Sequence, residues 1–227
     1  MSVWEEMEEA LDKIIRDYEK INHIISLFQD DKVRLKGLSK VQPSEGPILE
    51  LGSGPGNYSR MILKEHKGPL VCLDYSNIML DEARRKNKER DIDYIRAVFD
   101  ALPFRDESFH LVTTAYALRD SLDIPKAVAE SYTTMTSGGS ILIIDIGKPD
   151  NILIQGFMRI YIKYLVPIIS GLFTNYGYRN PWSLLYKTFD RLPSNKNMSK
   201  ILSNFFIKIN KEEFFFGALI AIDGKKK

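Results

Sequence analysis

The chain has 227 residues, 44% of them hydrophobic and 27% charged, with 32 basic against 30 acidic side chains and a net charge of +2. That length suits one domain of ordinary size whose core needs no covalent staples, and the balanced charge excludes the strongly basic footprint of a nucleic-acid binder. A single cysteine, Cys72, excludes an internal disulfide framework, and with only three histidines no metal is expected.

The start, Met1-Ser2-Val3-Trp4-Glu5-Glu6, is acidic and unlike a secretory signal, so a cytoplasmic protein is expected. Trp4, Met7, Leu11, Ile14, Ile15, Tyr18, Ile21, Ile25 and Phe28 recur at threes and fours. This spacing predicts an amphipathic helix from Trp4 to about Lys36, broken near Gln29-Asp30-Asp31. Residues 1–42 then form an N-terminal helical segment, and Pro43-Ser44-Glu45-Gly46-Pro47 is a turn-rich connector.

From there short apolar runs alternate with helical stretches. Ile48–Leu51, Leu70–Leu73, Tyr94–Val98, Leu111–Ala115 and Ile141–Ile146 read as strands; Tyr58–Lys64, Met79–Arg90 and Ile124–Met135 read as helices. The alternation predicts an α/β fold with a parallel sheet covered on both faces, and ligands beyond the carboxyl ends of its strands. Phe205–Ile209 and Phe214–Ile222, separated by Asn210-Lys211-Glu212-Glu213, predict a closing antiparallel hairpin in which Phe214-Phe215-Phe216 is a buried strand. Of the histidines, His23 and His66 are expected on helix surfaces, while His110 falls at the amino end of the sheet.

Glu50-Leu51-Gly52-Ser53-Gly54-Pro55-Gly56 links the first strand to a helix. Glycines there let the backbone turn sharply and approach a ligand without a Cβ in the way. Position 57 is Asn, so the third glycine of a dinucleotide fingerprint is displaced, and Pro55 removes an amide that a pyrophosphate would use. The loop therefore suits a ligand without phosphates. Asp74 ends the second strand about twenty residues on, where a carboxylate accepts from ribose hydroxyls. Asp100-Ala101 follows the third strand, where an acid and an amide can read an adenine edge. The plain alternative is that these acids cap helices.

A positively charged nucleoside without phosphates points to S-adenosylmethionine. Glu50 to Gly56, Leu73-Asp74-Tyr75-Ser76 and Asp100-Ala101-Leu102-Pro103-Phe104 resemble, in order and spacing, the motifs of class I methyltransferases. Asp17-Tyr18-Glu19-Lys20-Ile21-Asn22, Tyr116-Ala117-Leu118-Arg119-Asp120 and Asp145-Ile146-Gly147-Lys148-Pro149 resemble segments of the ubiquinone/menaquinone biosynthesis C-methyltransferases. Tyr164 to Ser170 and Tyr176-Gly177-Tyr178-Arg179 fall in register with that family's apolar insert. Asp145 and Gly147 stand where the family carries Glu and Ser, and Thr136-Ser137-Gly138-Gly139 where it carries Lys-Pro-Gly-Gly.

The resemblance implies a Rossmann-like, mostly parallel seven-stranded sheet with an antiparallel C-terminal hairpin. In it residues 43–227 form the S-adenosylmethionine-binding domain, with an apolar insert at about 151–190, and residues 1–42 cover the active site. It implies cofactor contacts from Tyr18, Glu50, Gly52, Ser53, Gly54, Gly56, Asp74, Tyr75, Met79, Asp100, Ala101 and Ala115. The implied substrate is a prenylated quinol methylated on a ring carbon. Arg119 would then stabilise the phenolate, Asp120 or a water held by Arg119 would take the proton, and Tyr116 would shape the mouth. For Arg119 and Asp120 the alternatives are a surface residue and a helix cap.

Ile152 to Phe173 is overwhelmingly apolar, with Gln155, Arg159, Lys163 and Ser170 close to one stripe. Two charges and Pro167 argue against a membrane span. Such a helix packs into the core, walls a lipid substrate or rests on a bilayer. Three readings compete with quinol C-methylation. They are methylation of another apolar molecule on O, N or C, a nicotinamide-dependent oxidoreductase disfavoured by Asn57, and a non-catalytic cofactor-binding module.

Overall fold

The computed structural model describes residues 14–174, 176–178 and 180–227. The Trp4, Met7 and Leu11 positions of the expected first helix, and Arg179, lie outside them. Strands β1 (Ile48–Leu51), β2 (Leu70–Asp74), β3 (Ile92–Arg96), β4 (Phe109–Ala115), β5 (Met135–Ile146), β6 (Ile207–Phe214) and β7 (Leu219–Lys225) form one sheet in the order β3-β2-β1-β4-β5-β7-β6. The first five are parallel, and β7 runs antiparallel to both β5 and β6. The helices are α1 (Tyr18–Ile25), α2 (Asp30–Leu38), α3 (Asn57–Glu65), α4 (Asn77–Lys86), α5 (Ile124–Thr134), α6 (Ile152–Ile160), α7 (Val166–Phe173), α8 (Leu185–Arg191) and α9 (Asn195–Ser203). This is the α/β sheet expected from the strand–helix alternation, with the seven strands and the antiparallel C-terminal hairpin that the resemblance implies.

Successive β1 residues point to opposite faces and all four are buried, as a strand covered on both sides requires. Leu49 and Leu51 join one core, Ile48 the other. The chain builds β2 and β3 on one side of β1, then crosses to β4 on the other. That reversal of strand order opens a crevice beyond the carboxyl ends of β1 and β4.

The N-terminal helix breaks slightly earlier than the sequence spacing predicts. Leu27 and Phe28 take left-handed backbone angles, φ 52° and 59°, and separate α1 from α2. A third core cluster joins this region to the insert: Ile14, Ile21, Val166 and Trp182 are buried together. Trp182 Nε1 donates to Asn22 Oδ1 (3.0 Å), and the Tyr161 hydroxyl donates to Ile25 O (2.8 Å). The insert itself runs from α6 through a π turn at Tyr161–Leu165 into α7. The wider turn accommodates Pro167, whose missing N–H would otherwise interrupt a tighter ladder.

The C-terminal hairpin lies elsewhere than expected. Residues 210–213 do not form the turn but run through β6, and the turn is at Phe215-Phe216-Gly217-Ala218. β6 ends the sheet order, and an edge strand tolerates charged residues that a central one does not. Lys211 pairs with Glu213, and Glu212 with Lys40. Phe215 and Phe216, expected inside a buried strand, are 53% and 85% exposed at the tip. β5 also starts six residues before the predicted Ile141, at Met135.

Candidate active site

A cavity of about 650 Å³ fills the crevice between the strand ends, the N-terminal helices and the insert. Beyond β1 the chain turns through Gly52, at φ 69°. A Cβ there would lie 2.2 Å from Ala117 Cβ, so only glycine fits. The Gly52 and Ser53 amides both donate to Leu73 O (2.8 and 3.1 Å), fixing the loop to the end of β2. At Gly54, also left-handed, a Cβ would meet nothing within 4 Å, which leaves bare backbone for a ligand.

Two carboxylates stand beside this loop. Asp74 accepts from Gly54 N on Oδ2 (2.8 Å) and from Ser76 N on Oδ1 (2.9 Å). Burial pushes its carboxyl up to about 6, against these hydrogen bonds. Glu50 is 1% exposed in the middle of the sheet. Its Oε2 accepts from Ser59 Oγ (2.6 Å) and Cys72 Sγ (3.4 Å), and burial raises its carboxyl to about 7. Glu50 has no ion-pair partner among the described residues, and a buried carboxylate in that position favours a cationic ligand.

A second polar group lies across the pocket. Tyr116 follows β4 with φ 61°, a strained angle for a bulky residue, and its amide donates to Ile144 O (2.7 Å). This turn sends the Tyr116 ring beneath the Arg34 guanidinium, 4.9 Å from the ring centroid, and presents the Tyr116 carbonyl to Arg119 Nη1. Arg119 Nη1 also donates to Asp145 Oδ1 (3.0 Å), and the Arg119 amide to Asp145 Oδ2 (3.2 Å). Its Nε, 3.8 Å from Asp120 Oδ1, is buried without a hydrogen-bond partner among the described residues. The two carboxylates hold the guanidinium well inside its charged range despite burial. Burial raises the Asp120 carboxyl, with Arg119 opposing it, and raises the Tyr18 and Tyr116 hydroxyls.

The cavity wall brings together Tyr18, Glu50, Gly52, Ser53, Gly54, Asp74, Tyr75, Met79, Ala115, Tyr116, Arg119 and Asp120. Gly56, Asp100 and Ala101 stand outside it. Gly56 instead caps α3, against Asn87. Asp100 Oδ1 accepts from Ser121 Oγ (2.8 Å) and Asp123 N (3.3 Å), so the carboxylate braces the loop after β4, and Val98 and Phe99 line the wall in its place.

Other wall residues were not singled out by the sequence. His23 was expected on the surface, but it lines the cavity and bonds Asp30 through Nδ1 (2.9 Å). Arg34 bonds both Asp30 and Asp31, so the cluster His23, Asp30 and Asp31 already holds a cation of its own. His66, the other histidine expected on the surface, is buried at the end of α3 and accepts from Ser44 N. Asp145, which the sequence shows only where the family carries Glu, is the fully buried partner of Arg119.

The fold and the loop geometry define a class I S-adenosylmethionine-dependent methyltransferase. Among solved structures, a possible histamine N-methyltransferase from Thermotoga maritima superposes with a TM-score of 0.70 at 17% identity, over 97% of this chain and all of that one. Phosphoethanolamine N-methyltransferase 2 of Haemonchus contortus, solved with S-adenosyl-L-methionine, matches 80% of this chain and 38% of its own, with a TM-score of 0.61 at 20% identity. The family model of the ubiE/COQ5 methyltransferases matches residues 3–226, and the chain belongs to that family. The demethylmenaquinone methyltransferase of Lactococcus lactis is 28% identical over 95% of this chain and 87% of its own. That of Bacteroides fragilis is 26% identical over 94% and 89%.

The residues present fit S-adenosylmethionine. Glu50 is buried and Asp74 half-buried on the cavity wall, which suits a ligand that carries positive charge and no phosphate, and Gly54 leaves open space beside the backbone there.

Proposed function

We propose that this enzyme methylates a ring carbon of a prenylated quinol, in a biosynthesis of the ubiquinone or menaquinone type. The observation that carries this reading is one cavity that joins the glycine loop, the Arg119–Asp120 pair and a mostly apolar wall reaching the insert. The names of the relatives, demethylmenaquinone methyltransferases, support it.

S-adenosylmethionine supplies an electrophilic methyl group when bound. Gly52, Ser53 and Gly54 are assigned to its backbone contacts, Asp74 to the ribose hydroxyls and Glu50 to the positive end, with Tyr18, Tyr75, Met79 and Ala115 completing the wall. The rest of the work is positioning and proton handling. Arg119 holds the quinol oxygen as phenolate, so that the neighbouring ring carbon is nucleophilic. Asp120 takes the quinol hydroxyl proton; its raised carboxyl makes it a better base than a solvated aspartate. The phenolate and sulfonium charges would cancel as the new carbon–carbon bond replaces the methyl–sulfur bond and leaves S-adenosylhomocysteine, and the proton on the methylated carbon would then pass to the quinol oxygen. An apolar wall does not oppose that cancellation. Tyr18 and Tyr116 fix the orientation of the ring.

The working location is the cytoplasm, with residues 152–173 in peripheral contact with the membrane that holds the substrate. Methyl transfer to a series of demethylated quinols of varied ring and tail, with mass spectrometry of the products, tests the substrate. One methyl on a ring carbon is expected. Transfer only to oxygen or nitrogen of another apolar molecule would replace the quinol reading. Calorimetry tests the cofactor contact: Asp74→Ala is expected to weaken S-adenosylmethionine binding by about 1–3 kcal/mol, the range of a lost charged hydrogen bond. Unchanged affinity would displace the ribose from Asp74.

A further inference from the structure

We propose that the insert, the α1–α2 turn and the β6–β7 tip together dock the mouth of the cavity on an anionic lipid bilayer. This rests on the reading of the substrate as a prenylated quinol, and it specifies the surface that quinol comes from.

The helical insert is held flat against the protein by one narrow stripe. Met158, Ile162, Val166 and Ser170, four residues apart, are buried. Its other side keeps Ile152, Leu153, Phe157, Ile160, Ile168 and Leu172 in solvent, with Leu153 80% and Leu172 79% exposed. By length and composition Ile152–Phe173 could cross a bilayer, but its buried stripe packs against the core, and a span would have to give that up. A helix packed on one side and apolar on the other lies along an interface.

Two turns from distant parts of the chain add to the same apolar rim. Leu27-Phe28 and Phe215-Phe216 are each a pair of consecutive non-glycine residues with positive φ, and all four side chains are exposed. Such angles are unfavourable for bulky residues, yet both turns use them to carry large apolar side chains outward. Leu27, Phe157, Phe215 and Phe216 line the cavity as well, so the rim surrounds its mouth. Exposed apolar surface on this scale marks an interaction site.

The charge pattern selects the occupant. Residues 151–211 contain nine lysines and arginines and one acid, Asp190, in a chain whose net charge is only +2. Cations border the apolar face: Lys20 Nζ is 5.9 Å from the Phe173 ring centroid, and Lys163 Nζ is 5.3 Å from that of Tyr164. Apolar side chains edged by lysines match acyl chains beneath anionic headgroups. The prenyl tail then passes between bilayer and cavity without crossing water.

The test is co-sedimentation of the full chain with vesicles of phosphatidylcholine alone, or of phosphatidylcholine mixed with phosphatidylglycerol. Binding is expected to be about tenfold or more tighter to the mixed vesicles, and to weaken with added salt. Leu153→Asp/Leu172→Asp, at two exposed positions outside the cavity wall, is expected to lose about tenfold or more in vesicle binding. Its S-adenosylmethionine affinity and its turnover of a short-tailed, water-soluble quinol should match the parent. Lys20→Glu/Lys163→Glu should remove the preference for phosphatidylglycerol.

Equal binding to both vesicles, vesicle binding indifferent to both variants, or a rim that instead drives self-association in sedimentation velocity would overturn the proposal. Turnover of the short-tailed quinol without vesicle binding would sink the docking alone. Tight, lipid-selective binding by a chain that methylates no quinol would sink the substrate reading and leave the docking standing.

Discussion

Arg119→Lys is expected to lower turnover by about 10²–10³-fold, the size of effect of one preorganised donor to a substrate oxyanion, because less of the quinol is held as phenolate, with S-adenosylmethionine affinity nearly unchanged. The guanidinium is a planar fork. One nitrogen serves both the Tyr116 carbonyl and Asp145 Oδ1, and its carboxylate neighbours Asp145 and Asp120 hold it in place. An ammonium keeps the charge but cannot hold both anchors and a substrate oxygen in one plane. Lysine is the informative substitution because alanine strands buried charge. Asp145 is fully buried, and breaking a buried ion pair by removing one partner costs about 3–5 kcal/mol of stability. Arg119→Ala is therefore expected to unfold at lower denaturant, while Arg119→Lys separates chemistry from folding. Single-turnover rates with saturating cofactor, alongside calorimetry, make the measurement. Parent-like turnover in Arg119→Lys would remove the fork from the mechanism.

Much of this site was legible because it depends on local pattern. Short apolar runs, each followed by a helix, placed Glu50, Gly52 and Gly54 at the end of β1 and Asp74 at the end of β2, and the glycines marked the loop in which Gly52 leaves no room for a Cβ. The missed features depend on tertiary context. Asp100 lies in the turn after β3, where an adenine contact was expected, but Ser121 and Asp123, more than twenty residues later, turn its carboxylate away. Arg34 reads as the polar side of an amphipathic helix, and only the left-handed turn at Tyr116 brings an aromatic ring beneath it. The hairpin was misplaced because polar residues signal a turn in a central strand and are ordinary in an edge strand. Phe214-Phe215-Phe216 has the composition of a buried strand, and its position at a turn beside the cavity mouth is a property of the folded surface.

Glu50 carries a second large expectation, and its sign follows from burial. Its folded carboxyl lies at about 7 against an ordinary 4.5, so the folded protein binds the proton more tightly than the unfolded chain. Its unfavourable contribution is therefore absent below about pH 4.5, grows as pH rises and is complete above about 7. At 1.36 kcal/mol per pH unit that is about 3 kcal/mol at pH 8. Glu50→Gln keeps the shape and an acceptor for Ser59 and removes the buried charge. It is expected to be more stable than the parent to urea at pH 8, by about 1–3 kcal/mol once a weakened Ser59 bond is deducted, and to gain nothing at pH 4.5. The same substitution should weaken S-adenosylmethionine binding at pH 8, because the charge that destabilises the fold is the one that attracts the cation. The parent's affinity should fall as pH drops through 7 and then through 6, where Asp74 also takes up its proton. A Glu50→Gln variant less stable than the parent at pH 8 would mean that Ser59 and Cys72 fully offset the burial. Unaltered cofactor affinity in that variant would place the positive end of the ligand elsewhere. A gain in stability together with a loss in affinity would identify Glu50 as a residue that costs the fold stability for the sake of binding.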